Sequence, residues 1–294
     1  MGGAPLGSMP ENFGYQVPAE QAIETVRRVL RGPVNFLDTS NDYGAGRSEE
    51  RIGMALRAEG GLPPGFVVAT KVDPDPVTGR FDAARARESA QESLHRLGLD
   101  RLPLLYLHDP DDIPFEEAVG PGGVVDGLIA LRNEGLVRHL GIAGGPVALM
   151  RRYTGTGVFE VLLTHNRFTL VDRSAAELID DAVAAGIGVV NAAPYGGGIL
   201  ARGTSHTQDY GYRRASDEVL RRIGRMELCR GFGVPLRAAA LHFSLRDSRI
   251  TSTVVGTADA AHVDDLMALV RTVIPGDLWQ RLDDLAAPRE EWLW

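Results

Sequence analysis

The chain contains a single lysine, Lys71, although lysine and arginine together number 31 of its 294 residues. Any step that needs a compact ammonium therefore falls on that one residue. Cysteine is equally scarce: Cys229 alone excludes an internal disulfide and any cysteine-rich zinc or iron-sulfur site. It fits a reducing compartment and is read as a helix-packing residue. The opening residues, MGGAPLGSMPENF, lack a basic start followed by an apolar stretch, so no secretory signal is expected and the cytoplasm is the default. Positive charge is in deficit: 39 acidic residues give a formal net charge of −8, which argues against a nucleic-acid-binding surface. The charge-free run at 182–200 approaches membrane-span length but is broken by Asn191, Pro194 and several glycines. It reads as a helix end, a buried strand and a glycine loop. No G-x-G-x-x-G follows a strand, and the residue before Lys71 is threonine rather than glycine, so neither a Rossmann site nor a P-loop has support.

What is present is a rhythm of short apolar runs: Val34–Asp38, Phe66–Lys71, Pro103–His108, His139–Ala143, Glu160–Thr164, Ile187–Ala192 and Ser252–Gly256. They are continuous rather than alternating, as in parallel strands covered on both faces. Amphipathic stretches lie between them, such as Ala83–Leu97, where Ala86, Ala90, Leu94 and Leu97 share a face. With Met1–Leu6 as a truncated first strand, eight strand-helix units result, which predicts an α/β fold, a (β/α)8 TIM barrel with a parallel eight-stranded sheet. The length matches the roughly 250 residues plus insertions of such a barrel. No composition break marks a boundary, so one domain over residues 1–294 is expected, with a C-terminal helix and tail from about residue 275. The longest departure is the polar segment 201–212, a solvated connection or a lid, before helices at 213–231 and 235–245.

Barrel active sites lie where strands end and βα loops begin. The second strand ends in Asp38, the third in Lys71 and the fourth in His108, and Tyr43 follows Asp38 in its loop. Taken singly they could be a helix cap, a rim charge, a satisfied buried histidine and a loop aromatic; together at successive strand ends they describe a tuned proton donor. Tyrosine has a reference pKa of about 10, too high for efficient exchange near neutrality. An ammonium about 4 Å away, at an effective dielectric near 20, favours phenolate by roughly 4 kcal/mol as an upper estimate. Asp38 would keep Lys71 protonated, and His108 would hydrogen-bond the substrate oxygen.

The segments Phe36–Gly44 (FLDTSNDYG), Ser48–Gly53 (SEERIG), Ala69–Val72 (ATKV) and Leu94–His108 resemble the motifs of the aldo-keto reductase family, and with the GGAPLG start the similarity runs over nearly the whole chain. The resemblance implies that Tyr43 is the general acid/base, that Lys71 and Asp38 tune it, and that His108 orients the carbonyl. A nicotinamide cofactor would exchange hydride with that carbon, with no metal. Tyr106–Asp112 (YLHDPDD), Arg167–Val171 (RFTLV) and Pro194–Leu200 (PYGGGIL) are most similar to the branch that oxidises L-fucose and other D-threo-aldoses, which also resembles pyridoxal 4-dehydrogenases. A small polar substrate, an aldose, would then meet Asn41, Asp42, Asp109, His165 and Arg167. The N-terminal hairpin of many members has no counterpart ahead of the first-strand motif.

The same resemblance places the dinucleotide on Gly3, Ala4, Asn166, Pro194, Tyr195, Gly196, Gly198 and Leu200, and on Gly256, Thr257, Asp259, His262 and Asp265 after the last strand. Where NADPH-preferring members carry basic residues, this chain has Gly256, Asp259 and His262, so NAD is expected over NADP: a carboxylate repels a 2′-phosphate but accepts from ribose hydroxyls. Ala192 stands where many members stack a tyrosine on nicotinamide, and Ala143 and Gly144 replace the serine and asparagine that bind its amide, so either other groups such as Asn166 and Tyr195 take over or cofactor binding is weak. Two other readings are compatible with the residues: a class I aldolase forming a Schiff base at Lys71, and a cofactor-binding barrel without catalysis. The oligomeric state is not legible.

Overall fold

A computed structural model describes residues 1–211 and 213–292. Its contacts group the chain into two compact units. The first comprises Met1–Gly144, Arg152–Leu162 and Gly256–Val263. Its strands are β1 (Phe36–Asp38), β2 (Val67–Val72), β3 (Leu102–His108) and β4 (Val137–Gly144), parallel and hydrogen-bonded in chain order. The apolar runs thus mark the strands to within about two residues. Each is buried because helices cover the sheet: Leu37, Val68, Leu105, Leu107, Leu140 and Ile142 are all essentially inaccessible.

Helix Ala83–Leu97 shows how local chemistry sets an element's ends. Asp82 accepts the Arg85 N–H at 2.8 Å as N-cap, and Gly98 closes the helix at φ 70°. Its Ala86, Ala90 and Leu97 are buried as the sequence spacing requires, and Leu94, expected on the same face, is half-buried.

The expected strand at Met1–Leu6 shrinks to one bridging residue. Gly2 bridges Asp38 on one side and Gly256 on the other, while Ala4–Gly7 forms a 3-10 turn. Pro5 has no N–H to give to a ladder, and the Leu6 N–H turns back to the Gly3 carbonyl at 2.9 Å.

The second unit comprises Gly145–Arg151, Leu163–Val255 and the chain from Asp264 onward. Here β6 (Gly188–Ala192) runs parallel to β7 (Ser252–Val254), with Val190 opposite Ser252. The end of β5 (Val161–His165) also belongs to it. Buried Asn191 ties this unit internally, donating to the Phe168 carbonyl at 2.9 Å and to Ser244 Oγ at 2.8 Å. Helices Leu236–Leu245 and Gly276–Asp283 lie where expected. The helix expected from residue 213 begins instead at Asp217, because Arg213–Arg214 pairs antiparallel with Asp209–Tyr210 and Ser216 caps Val219 N–H at 3.2 Å. Cys229 is buried, in a 3-10 segment. Among the described residues no helix is long and apolar enough to cross a membrane.

Candidate active site

Strand register brings the first unit's chemistry to one face. Asp38 pairs with Ala69, Lys71 with Tyr106, and His108 with Ala143. Side chains two residues apart on a strand share a face, so Ala69 and Lys71 align, as do Tyr106 and His108. Asp38, Lys71 and His108 therefore project together from three adjacent strands.

Lys71 sits at the centre of this set, 1% exposed. An ammonium has three protons, and all three find acceptors: Asp38 Oδ2 at 2.9 Å, the Thr39 carbonyl at 2.5 Å and Tyr43 Oη at 3.1 Å. A nitrogen so committed offers no lone pair to a carbonyl carbon, which disfavours the Schiff-base chemistry considered above. Tyr43 accepts from the ammonium, and the same nitrogen lies 4.5 Å from its ring centroid. The other tyrosines make a useful contrast. Burial pushes the Tyr153 and Tyr195 phenols up to about 12, with only weak opposition from Arg152 and Arg237, so neither suits proton exchange near neutrality.

Tyr43 is held by close backbone packing. Gly44 adopts φ 64°, and a Cβ there would lie 2.2 Å from the Gly7 carbonyl oxygen. A Cβ on Gly7 would in turn meet the Tyr43 carbonyl oxygen at 2.7 Å. Arg96 braces the same loop from helix Ala83–Leu97, donating to the Asn41 carbonyl and to Glu49 Oε2, both at 3.1 Å. Glu49 is buried, which pushes its carboxyl up despite hydrogen bonds from Thr70, Ser93 and Arg96. The SEERIG segment is thus packing chemistry in support of the tyrosine loop. Gly44→Ala is expected to cost about 1–3 kcal/mol of stability and to reduce kcat at least about tenfold, because the loop must shift to admit the methyl. Wild-type kcat in a folded Gly44→Ala protein, measured beside its melting curve, would contradict that.

His108 has a partner that sequence reasoning missed. Its Nδ1 lies 2.5 Å from Asp73 Oδ1, and Ser40 Oγ is 3.2 Å from the same nitrogen. The ring meets Tyr43 edge-on with centroids 5.8 Å apart. Nε2 is 3.6 Å from Asp109 Oδ2, beyond hydrogen-bond reach.

The other proposed substrate residues differ in placement. Asn41 is buried, and its amide is committed to Ser89, Glu92 and Arg85, so its role is to hold the loop. Asp42 is exposed; partial burial and the neighbouring Asp73 raise its carboxyl, against His108. Asp109 is exposed, with φ 35°, and its N–H donates to the Ala143 carbonyl at 2.9 Å. In the second unit His165 ends β5, and the Arg167 guanidinium lies over Gly145, where a Cβ would be 2.5 Å from Nη1.

For the cofactor residues, the second unit contributes Asn166, buried at φ 60° with Oδ1 lacking a hydrogen-bond partner among the described residues. Tyr195 Oη is likewise buried without a partner. Buried polar atoms left unpaired are costly, so these two suit a ligand's polar group. Pro194 and Leu200 are buried behind the glycines, which carry φ values of 57°, 75° and 103° at Gly196, Gly197 and Gly198. Tyr210 was also missed. From within the polar 201–212 segment it enters the core, donates to the Asn166 carbonyl at 2.7 Å and lies where a Gly196 Cβ would be, 2.2 Å away. Residues 201–211 of that segment are therefore anchored rather than simply solvated, and residue 212 lies outside the described residues.

In the first unit, Gly3 donates to the Asp38 carbonyl at 2.7 Å, and a Cβ on it would stand 2.8 Å from that oxygen; Ala4 is half-buried in the following turn. Gly256 is exposed and Thr257 buried, with Oγ1 accepting the Asp259 N–H at 3.2 Å. Asp259 Oδ1 accepts the Ala261 N–H at 2.8 Å, capping helix Ala260–Val270. His262 is exposed, and so is Asp265 of the second unit. No cluster of metal-ligating side chains occurs among the described residues.

Residues 1–287 match the family described as Aldo/keto reductase. The chain is 30% identical over 275 residues to an L-galactose dehydrogenase of Arabidopsis thaliana, covering 92% of this chain and 82% of that one. It is also 30% identical over 276 residues to a D-threo-aldose 1-dehydrogenase of a Pseudomonas species, covering 85% and 83%. Among solved structures it resembles an aldo-keto reductase from Bacillus halodurans in its holo form, with a TM-score of 0.78, 22% identity, and coverage of 97% and 91%. At that identity the structural likeness shows the fold, the parallel α/β barrel class expected from the strand rhythm.

Proposed function

The chain belongs to the aldo/keto reductase family, and on that premise we propose that it moves a hydride between NAD and the anomeric or carbonyl carbon of a small aldose, an L-fucose-type sugar. It is an NAD(P)-dependent oxidoreductase. The observation that carries the proton-coupled hydride transfer is the Lys71 ammonium, held by Asp38 and donating at 3.1 Å to Tyr43 Oη. Two relatives named for sugar dehydrogenation support the substrate class.

In the oxidative direction Tyr43 accepts the proton of the substrate hydroxyl. It does so from its phenolate form, which the Lys71 ammonium stabilises before the transfer, and Asp38 balances that ammonium; the step leaves Tyr43 as a neutral phenol. His108 donates from Nε2 to the substrate oxygen and fixes its position. The reductive direction reverses each transfer with the same groups. The nicotinamide supplies the hydride acceptor or donor when bound. Asn166 Oδ1 and Tyr195 Oη, both buried and unpartnered, fit a carboxamide, which offers both donors and an acceptor.

Thr257 and Asp259 would meet the adenosine ribose. The carboxylate of Asp259 already occupies the positive end of helix Ala260–Val270, where a 2′-phosphate would otherwise be attracted. NAD is therefore expected to exceed NADP in kcat/KM by about tenfold or more, one ribose-phosphate discrimination of roughly 1.4 kcal/mol. The test is a panel of aldoses, pyridoxal and simple aldehydes assayed with both dinucleotides. Higher kcat/KM with NADP overturns the cofactor preference, and turnover confined to non-sugar aldehydes overturns the substrate class. The single, buried cysteine supports a reducing compartment such as the cytoplasm.

A further inference from the structure

We propose that Asp73 is a positioning residue for this reaction: it holds His108 through Nδ1 so that Nε2–H is the atom presented to the substrate oxygen. The inference rests on the functional reading above, in which Tyr43 exchanges the proton and His108 polarises the oxygen.

Asp73 follows the last residue of β2, and its carboxylate is held from three directions. Oδ1 takes His108 Nδ1 at 2.5 Å. Oδ2 accepts the Ser40 hydroxyl and, at 2.9 Å, the Asp42 N–H. Its backbone is anchored as well, the N–H near Ser89 Oγ at 3.3 Å and the carbonyl accepting Arg85 Nε at 3.1 Å. A carboxylate so restrained cannot follow a rotating imidazole, so the ring orientation is set by it. With Nδ1 committed to Asp73, Nε2 is the nitrogen left for the substrate.

The groups facing His108 also decide its charge. From the loop after β1 come Ser40, Asp42 and the Tyr43 ring; β2 and its end supply Lys71 and Asp73; Asp109 adjoins His108 itself; β4 places the neutral Ala143 opposite it. Burial alone would lower the imidazolium, but Asp73, with help from Asp109 and against Lys71, raises it above its ordinary value. Burial would likewise push Asp73 up, yet His108 and the hydrogen bonds from His108, Ser40 and Asp42 hold it below the usual carboxylate value. The contribution of the raised imidazolium is complete below its ordinary pKa and is lost as pH rises through the folded value. The contribution of the depressed carboxylate is present above its ordinary pKa and is lost as pH falls through the folded value. Between those limits the pair is carboxylate and imidazolium, and Nε2 carries a proton. Asp73 keeps its charge throughout the reaction and transfers nothing.

The test is Asp73→Asn, read by the ring nitrogen resonances of His108 across pH and by the pH dependence of kcat and KM. Asparagine removes the attraction and leaves the burial, so the His108 midpoint is expected to fall by about one pH unit or more. The alkaline limb of kcat should move down with it, and kcat should drop about tenfold or more while KM changes less. A His108 titration that stays in place while only the melting temperature falls overturns the proposal, leaving Asp73 as a tie between β2 and the loop at 40–42. Should the asparagine variant not fold, Ser40→Ala serves instead. Removing a hydrogen bond to Asp73 strengthens its hold on the imidazole proton, so the His108 midpoint should rise, and a fixed or lowered midpoint overturns the inference. The resonance titration needs no turnover, so its outcome stands apart from the functional reading, which Tyr43→Phe tests.

Discussion

Replacing Tyr43 by phenylalanine is expected to lower kcat by about 10²–10⁴-fold in both directions, the usual contribution of a positioned acid/base. The ring edge that meets His108 is preserved, and only the oxygen that accepts from Lys71 is lost. Dinucleotide affinity should therefore change little, and fluorescence titration with NADH can check this separately from turnover. One side effect is predictable: the Lys71 ammonium loses one of its three acceptors while keeping Asp38 and the Thr39 carbonyl, so stability should fall by roughly 1–3 kcal/mol. Undiminished kcat in this variant would mean that another group carries the proton. The other tyrosines offer little there, since Tyr153 and Tyr195 are pushed up to about 12 by burial.

Lys71→Arg is the sterner test, because it keeps the charge. The lysine nitrogen is enclosed by Asp38 Oδ2, the Thr39 carbonyl and Tyr43 Oη within 3.1 Å, with 1% of the residue exposed. A guanidinium is planar, spreads its charge over a larger group and needs more volume than this space provides. Overpacking of a buried site costs about 1–3 kcal/mol, and a displaced Tyr43 would reduce kcat by about a hundredfold or more. Lys71→Met should be worse for folding, since leaving Asp38 buried without its partner costs about 3–5 kcal/mol. Full activity in a folded arginine variant would show that charge alone suffices, and the lone lysine would then lose its chemical meaning.

Much of the site was legible because barrel geometry turns a local signal into a spatial one. An apolar run ending in Asp38, Lys71 or His108 marks a strand end, and parallel strands of one sheet present their ends together. Asp73 was not legible for an equally definite reason. It lies in the segment DPDP, where aspartate before proline reads as a turn former, and Asp75 behaves in that way, accepting the Val77 and Thr78 N–H groups. Nothing local separates the two aspartates. Tyr210 was hidden similarly, as one aromatic in a polar stretch, although it supports Gly196 and Asn166 from below. Asn41 misled in the opposite direction: placed between Asp38 and Tyr43 it looks like a substrate contact, yet Arg85, Ser89 and Glu92 draw its amide into the packing behind the loop.

The sequence by itself determined the parallel α/β class, the strands to within about two residues, and the membership of Asp38, Tyr43, Lys71 and His108 in one constellation. Those follow from hydrophobic periodicity and strand-end position, which are short-range properties of the chain. Only the tertiary structure decided which groups hold the constellation in place: Asp73 on His108 across 35 positions, Arg96 on Glu49 across 47, and Gly7 against Gly44. It also reduced the expected first strand to one bridging residue, Gly2, because Pro5 cannot donate to a ladder. Hydrogen bonds and close contacts act over about 3 Å, and residues tens of positions apart reach that distance only when the whole fold sets their approach. A side chain's chemical type is local; its partner is not.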